Sequence, residues 1–384
     1  MNEEDDDVAL KFVHTADWHL GKDFPSFDEA DRKRLTRARL EVLDRVFGLA
    51  ARHQVDAVLC AGDLFDGPSP SRDWWEGLGN KLLALNWGST RRVFLLPGNH
   101  DPLTPTSVYA PSHPFRQMLP AWVEVIEQDN QEIRLSDEAV LYASPCRSQT
   151  GQDDLAMVLP ERQSSDDRIR IGMVHGSTFD MDGYQTSFPI SKDAAVRRGF
   201  DYLAIGDTHS FRRVPRDARV PTVYPSAPEP TNFGETNSGY VALVFVRRTG
   251  RKPLIRQERV ARWTWRDHTC RSLAELESLR HESLASHVVR LTLDMALPAP
   301  GYARAEQLVR EMKGTEAVHG TVGILQVDVT GLDLDVTDIE LAFEGAPEVL
   351  RKTAQRLRAV TGERSPTARR ALYHLYRLTR EVGR

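Results

Sequence analysis

The chain has 384 residues, which is enough for one large domain and one or two small ones. Its 40% hydrophobic and 27% charged content is ordinary for a soluble globular protein, and no apolar run reaches the ~20 residues that cross a bilayer. The formal net charge of −5 gives no general affinity for nucleic acid, so any such role must come from local patches. The three cysteines are far apart and odd in number, which argues against a disulfide framework.

The chain begins with an acidic stretch, and residues 1–8 are predicted to form a disordered tail. Because a signal peptide begins with basic residues, this start predicts a cytoplasmic location without membrane association.

Apolar strand patterns alternate with helical patterns through the first half of the chain. Strands are predicted over residues 11–15, 56–61, 93–96, 168–174 and 201–205, and helices over residues 26–54 and 72–87. This alternation indicates a largely parallel sheet, whose carboxyl edge is where sites form. The first helix carries a basic run, which we interpret as a solvated face: Arg32, Lys33, Arg34, Arg37 and Arg39.

Shorter elements follow. Three runs within residues 122–144 alternate as antiparallel or edge strands do, and residues 220–226 and 239–246 read as strands of a second half of the sheet. Residues 263–335 predict a small α+β unit, and residues 336–384 predict basic helices. An apolar stripe on the last helix could pack against the chain's own core or bind a partner.

Metal-binding side chains follow five of the predicted strands. Asp17 and His19 end the first strand and Asp63 the second, and further groups follow the remaining three: Asn99 and His100, His175, and Asp207 and His209. One bridging carboxylate with nitrogen and oxygen ligands on both sides is what a two-metal site requires. An isolated pair such as Asp17 and His19 could equally be a capping carboxylate beside a surface histidine. Five such groups in this order predict a two-metal hydrolase.

The same segments resemble the calcineurin-like metallophosphoesterase family. The resemblance rests on Asp17-x-His19, Gly62-Asp63, Gly98-Asn99-His100-Asp101, His175 and Gly206-x-x-His209. It implies a four-layer α/β core in which two mixed β-sheets are flanked by helices.

The resemblance also implies roles for these residues. Asp17, His19 and His209 would bind the first metal, Asp63 would bridge, and Asn99 and His175 would bind the second metal. His100 would be the proton donor or transition-state stabiliser. Asp66 would be the acidic partner that orients His100, although Asp101 could also serve.

One position departs from the family pattern. The last motif is usually Gly-His-x-His, and Asp207 stands where a second-metal imidazole is expected. A carboxylate can take that place and should favour harder cations, so we expect two divalent ions, with Mn²⁺ ahead of Mg²⁺. The alternative is a weakened second site.

Further motifs resemble the SbcD/YhaO-type DNA repair nucleases: residues 14–21, 98–102, 224–230 and 233–235. That resemblance implies a nuclease domain over residues 9–262, a small α+β capping domain over 263–335 and, over 336–384, helices that bind an SbcC-like coiled-coil ATPase. It also implies a homodimer.

The expected function is therefore a two-metal phosphodiesterase or nuclease acting on DNA ends or single strands, in repair or defence. Arg212 and Arg213 follow the last metal motif and could hold phosphates, although a hairpin that exposes arginines to water would look the same. Two rivals stay open: a phosphoesterase acting on small nucleotide or phosphoprotein substrates, and a catalytically weak scaffold that regulates an ATPase.

Overall fold

The computed structural model describes residues 7–88, 90–178, 187–216, 219–248, 252–314, 320–335, 343, 346–362 and 365–382. The strands are β1 (Val8–Thr15), β2 (Ala57–Ala61), β3 (Arg92–Leu96), β4 (Val123–Val125), β5 (Gln131–Arg134), β6 (Ala139–Ala143), β7 (Ile169–His175), β8 (Ser177–Thr178), β9 (Pro189–Ile190), β10 (Tyr202–Gly206), β11 (Arg212–Val214), β12 (Thr222–Tyr224), β13 (Tyr240–Arg247), β14 (Leu254–Arg259), β15 (Thr264–Cys270), β16 (Leu284–Leu297) and β17 (Val322–Leu334). The helices are α1 (Glu29–Arg52), α2 (Arg72–Leu85), α3 (Pro114–Met118), α4 (Ala194–Arg197), α5 (Leu273–Arg280), α6 (Ala299–Lys313), α7 (Glu348–Arg358) and α8 (Ser365–Val382).

The chain divides into two compact units, Met1–Trp263 and Thr264–Arg384. The first unit contains two mixed six-stranded sheets, with strand orders β14-β13-β1-β2-β3-β4 and β11-β12-β10-β7-β6-β5. In the first sheet β1, β2, β3 and β4 run parallel to one another, and in the second β6, β7, β10 and β12 do. Antiparallel strands complete both sheets at their edges.

Three apolar layers hold the first unit together. The space between the two sheets is filled from both sides, for example by Phe12, Leu59 and Phe94 of the first sheet and Ile171 of the second. Residues of α1 and α2 cover the outer face of the first sheet, and residues around α4 cover that of the second. The prediction of two mixed sheets flanked by helices is confirmed.

Helix α1 corrects one expectation. Asp28 caps it, since its side chain accepts a hydrogen bond from the Asp31 N–H, and the buried face of the helix includes Leu35, Val42 and Val46. Arg39 also lies on this face and is fully buried, so the predicted solvated face is wrong for this residue.

The second unit has its own core. Strands β15, β16 and β17 form a parallel sheet in sequence order, with α5 and α6 as the connections. Leu372 and Tyr376 of α8 are buried in the same cluster as Leu291 and Leu308, whereas Leu378 is 57% exposed. Most of the apolar stripe on α8 therefore packs against this unit's own core.

Several element boundaries differ from the predictions. Strand β1 begins at Val8, inside the predicted acidic tail, whose residues 1–6 lie outside the described ones. Strands β11, β14 and β15 were not predicted from the sequence, because their alternation is weak and only one residue of each is buried. Among the described residues, no helix combines the length and apolar character needed to span a membrane.

Candidate metal centre

The candidate site lies where five parallel strands end. In the first sheet, β1, β2 and β3 pair in register at their carboxyl ends, through Thr15 with Cys60 and Cys60 with Leu95. In the second sheet, Gly206 at the end of β10 pairs with His175 at the end of β7. The chain segments that leave these ends therefore carry all the predicted ligands into one region.

Four of the predicted ligands have an unusual backbone. Asp17, His19, Asp63 and Asp207 all have positive φ, at 56°, 43°, 54° and 99°. A non-glycine residue in this region costs on the order of 1–3 kcal/mol, so the surrounding structure must hold it there. Strain of this kind, gathered at strand ends that carry polar side chains, is typical of functional sites.

The first ligand group consists of Asp17, His19 and His209, whose candidate ligand atoms lie within 4.8 Å of one another. The Nε2 atoms of His19 and His209 are 3.0 Å apart. His209 Nδ1 is 2.8 Å from Glu235 Oε1, an acceptor, so the hydrogen is on Nδ1 and the lone pair of Nε2 faces the group. This second contact fixes the orientation of the ring, as in many metal-binding histidines.

The second group is built around Asp63 and His175. His175 Nδ1 donates to the Ala61 carbonyl at 2.8 Å, so Nε2 is the ring nitrogen that faces the ligand group. That Nε2 lies 2.9 Å from Asn99 Oδ1 and 3.4 Å from Asp63 Oδ2. Asp63 Oδ2 is also 3.7 Å from His19 Nε2, so this carboxylate lies between the two groups, as a bridge must.

Two glycines are needed for this close packing. A Cβ on Gly98 would lie 2.1 Å from Asp63 Oδ1, and a Cβ on Gly62 would lie 2.1 Å from His175 Nδ1. Gly62 also has a φ of +95°, which suits glycine. At both motif positions a larger residue would therefore clash with a ligand side chain.

The region stabilises positive charge. Burial by itself lowers the pKa of His175, but the negative charge of Asp63, with smaller effects from Asp17 and Asp207, outweighs burial and raises that pKa to about 10. Burial opposes ionisation of Asp63 as well, yet the neighbouring histidines His175 and His19 bring its pKa below the usual range.

These residues fit a pair of divalent cations. Asp17 Oδ2 is buried without a hydrogen-bond partner among the described residues. His175 Nε2 faces the oxygen atoms of Asn99 and Asp63, so either a proton on Nε2 or a metal cation must lie between the nitrogen and these oxygens. Carboxylate, amide and imidazole ligands suit Mn²⁺ and Mg²⁺ as well as other divalent ions, so the donor set does not identify the metal.

His100 is the exposed imidazole of the site. Its backbone N–H donates to Asp63 Oδ1 at 2.9 Å, and its ring centroid is 4.8 Å from that of His19. His100 Nδ1 lies 3.3 Å from the carbonyl oxygen of Asp66, and one ring nitrogen of His100 lies within 4.8 Å of the ligand atoms of His19 and Asp63.

The carboxylates predicted to orient His100 have other contacts. Asp66 Oδ1 lies 3.0 Å from His19 Nδ1 and 3.5 Å from Lys22 Nζ, so it faces the His19 ring, and only its backbone carbonyl faces His100. Asp101 is fully buried and accepts from the backbone N–H groups of Gly98 and Phe65 and from the Tyr109 hydroxyl. Asp101 therefore braces two motif loops against each other.

Asp207 lies at the edge of the constellation. Its backbone N–H donates to Asp17 Oδ1 at 2.9 Å. Burial raises the pKa of Asp207, with a partial offset from His175. Its carboxylate is absent from the groups of three close ligand residues found among the described residues, unlike the other charged or imidazole ligands predicted.

The two arginines predicted to contact phosphate differ. Arg212 is exposed on the edge strand β11, whereas Arg213 donates to the Ile255 carbonyl of β14, the edge strand of the other sheet, at 2.7 Å. Of the pair, Arg212 is the one whose charge faces solvent.

Sequence reasoning missed three residues that support the ligands. Glu235 and Thr231 both contact His209 Nδ1, and Arg39 contacts the backbone of the first motif. Glu235 belongs to one of the nuclease-like motifs, and the spacing of Arg39 from Leu35 and Leu43 was a usable signal, since residues four apart share a helix face.

The ligand groups form a candidate divalent-metal centre at the carboxyl ends of strands in two mixed sheets. The sequence matches the calcineurin-like phosphoesterase family over residues 10–211, just over half of the chain. The chain therefore belongs to this family.

Two bacterial relatives are similar over part of their length. The uncharacterised metallophosphoesterase YhaO of Bacillus subtilis is 26% identical over 244 residues, which cover 62% of this chain and 57% of YhaO. SbcD, a component of the nuclease SbcCD from the same organism, is 35% identical over 92 residues, which cover 24% of this chain and 22% of SbcD. The match thus spans less than two thirds of either relative.

Among solved structures, a dimetal phosphatase from Danio rerio aligns with a TM-score of 0.39 and 12% identity. The alignment covers 66% of this chain and all of that one.

Proposed function

We propose that this protein hydrolyses phosphodiester bonds in DNA, at ends or in single strands, with two divalent cations. The observation that carries the proposal is the shared carboxylate of Asp63 between two ligand groups, with the exposed imidazole of His100 beside it. A shared carboxylate suits a two-cation centre, and such centres catalyse in-line displacement at phosphorus.

In this proposal the side chains divide the work. When bound, the two cations would supply Lewis-acid charge to phosphate oxygens and lower the pKa of a water molecule. Asp17, His19 and His209 would hold one cation, and Asn99 and His175 the other, with Asp63 shared. His100 Nε2 would give a proton to the leaving oxygen, because Nδ1 faces the Asp66 carbonyl and the residue is exposed.

DNA as the substrate is supported by the relatives. SbcD is named as a subunit of a nuclease. Part of this chain is 35% identical to SbcD of Bacillus subtilis and 36% identical to SbcD of Escherichia coli K12. The exposed guanidinium of Arg212 at the edge of the second sheet would add a phosphate contact. An SbcC-like ATPase partner and a homodimer are part of the proposal and rest on resemblance alone.

The test is cleavage of end-labelled linear and single-stranded DNA with Mn²⁺, with Mg²⁺ and with EDTA. The variants are His100→Ala, which removes the exposed imidazole, and Asp207→Ala, which asks whether this carboxylate contributes. His281→Ala is the matched control, since His281 is an exposed histidine of the second unit. Hydrolysis of bis-p-nitrophenyl phosphate is measured in parallel as a generic phosphodiester reaction.

We expect metal-dependent cleavage that falls by about 100-fold or more in His100→Ala and is unchanged in His281→Ala. Hydrolysis of the small diester without any cleavage of DNA would contradict the DNA assignment and favour small substrates. Inactivity on both substrates, with fewer than two cations bound per chain, would favour the scaffold.

A further inference from the structure

Arg39 is a buried cation that the proposed reaction does not use. It is 0% exposed in the middle of α1, and its neighbours four residues away on the same helix face, Leu35 and Leu43, are buried apolar side chains. Burying an unpaired guanidinium is costly, so its donors must be satisfied by the surroundings.

The guanidinium donates to backbone carbonyls. Nε lies 2.9 Å from the Trp18 oxygen and 3.1 Å from that of His19, and one terminal nitrogen lies 3.4 Å from that of Asp17. The other terminal nitrogen lies 3.1 Å from the Glu229 oxygen and 3.2 Å from that of Pro230.

These carbonyls belong to two segments: one carries two ligands of the first group, and the other leads into the residues that support its third ligand. Residues 17–19 contain two of its ligands, Asp17 and His19, both with positive φ. The segment after Pro230 contains Thr231 and Glu235, which hold His209, the third ligand. One planar cation thus joins both halves of the group through their backbones, with a fork of donors that lysine cannot reproduce.

The charge around Arg39 fits this role. The hydrogen bonds of the guanidinium all go to backbone carbonyls. Its positive charge is also stabilised electrostatically by four carboxylates: Glu229, Glu235, Asp66 and Asp17. The carboxylates of Asp17 and Glu235 therefore remain available to the metal site and to His209.

We propose that Arg39 is a positioning residue for the first metal site: it fixes the backbone of residues 17–19 and 229–230 so that Asp17, His19 and His209 converge on one cation. The inference goes beyond the proposed reaction on DNA and depends only on metal binding. The second group, built on Asn99 and His175, has no hydrogen bond with Arg39 among the described residues and should keep its cation.

The experiment measures Mn²⁺ binding to the full chain without any substrate. Arg39→Met and Arg39→Lys are compared with Arg45→Met, a matched control on the same helix, whose guanidinium contacts the Val260 carbonyl and Glu229 instead. Titration gives the number and affinity of bound ions, and electron paramagnetic resonance distinguishes a coupled Mn²⁺ pair from a single ion. Circular dichroism and the Tm report the fold.

We expect Arg39→Met to bind one Mn²⁺ as in the wild type and the other at least about tenfold more weakly, with the coupled signal lost. Arg39→Lys should recover part of that affinity, and Arg45→Met should keep two ions whatever its Tm. Two ions with unchanged affinity in a folded Arg39→Met would overturn the proposal. If that variant does not fold, Arg39→Lys is judged by the same criteria. Failure of both to fold would also overturn it, because the role would then be in folding.

Discussion

The contact between Glu235 and His209 gives a prediction whose size follows from the structure. The Glu235 carboxylate is 12% exposed and accepts from His209 Nδ1 at 2.8 Å, from the Thr231 N–H at 3.0 Å and from the Ser238 hydroxyl at 3.1 Å. In Glu235→Gln one oxygen becomes an NH₂ group, so at least one of these donors must face another donor.

Losing one charge-assisted hydrogen bond costs about 1.5–3 kcal/mol, and changes in such supporting contacts weaken metal binding by about 10–100-fold. Since about 1.4 kcal/mol corresponds to a factor of ten, the two ranges agree. We therefore expect Glu235→Gln to lower the affinity for one of two Mn²⁺ ions by about 10–100-fold, as measured by competition titration against a chelating indicator.

Asp154→Asn is the matched control. Asp154 is a half-buried carboxylate outside the ligand groups, and its side chain accepts from the backbone N–H groups of Ser191, Ala156 and Met157. It should lower the Tm and leave the metal affinity unchanged. Equal Mn²⁺ affinity in Glu235→Gln and the wild type would refute the assignment of Glu235 as the group that orients His209.

Three further predictions follow from close contacts and burial. Gly98→Ala should lower Mn²⁺ affinity about 100-fold or more, since its Cβ would displace Asp63, whereas Gly67→Ala has open space and should match the wild type in the same titration. Asp101→Asn should lower the free energy of unfolding in urea by about 1–3 kcal/mol, because three donors share its carboxylate; no change would exclude the bracing role. Burial lowers the pKa of His14 from 6.5 to about 3. Below pH 6.5, His14 therefore becomes protonated in the unfolded chain but stays neutral in the folded one. The contribution of His14 to the free energy of unfolding in EDTA should then fall by about 1.4 kcal/mol per pH unit as pH drops from about 6 towards 4, so the measured slope should be shallower when His14→Phe is combined with Tyr202→Phe.

The strands that carry the site were predictable from the sequence, for a physical reason. Strands β1, β2, β3, β7 and β10 are buried on both faces, so each is a short apolar run that ends in a polar motif. Strands β14 and β15 were missed because each lies at the edge of its sheet and exposes many polar side chains, which read as loop.

Contacts between motifs were less predictable than the motifs themselves. Asp66 follows Asp63 by three residues, and the sequence alone offers no way to tell whether its carboxylate faces His19 or His100. The choice depends on how the chain turns after His19, where the Leu20 and Asp66 backbones pair and bring the carboxylate to His19 Nδ1. A family resemblance can place a residue such as Asp66 in a site. Which side chain that residue contacts within the site can be read only from the folded structure.

The strained backbone of the first ligand group and the buried residues that support this group are expected to depend on each other. Asp17 and His19 have left-handed backbone conformations that free peptides avoid. Arg39 donates hydrogen bonds to the backbone carbonyls of this segment and so stabilises it. On the other side of the group, Glu235 fixes His209. If strain and support are coupled in this way, changes at Arg39 and Glu235 should be non-additive in Mn²⁺ affinity, because both act on the same ion. A double variant whose loss equals the sum of the single losses would instead indicate two independent effects.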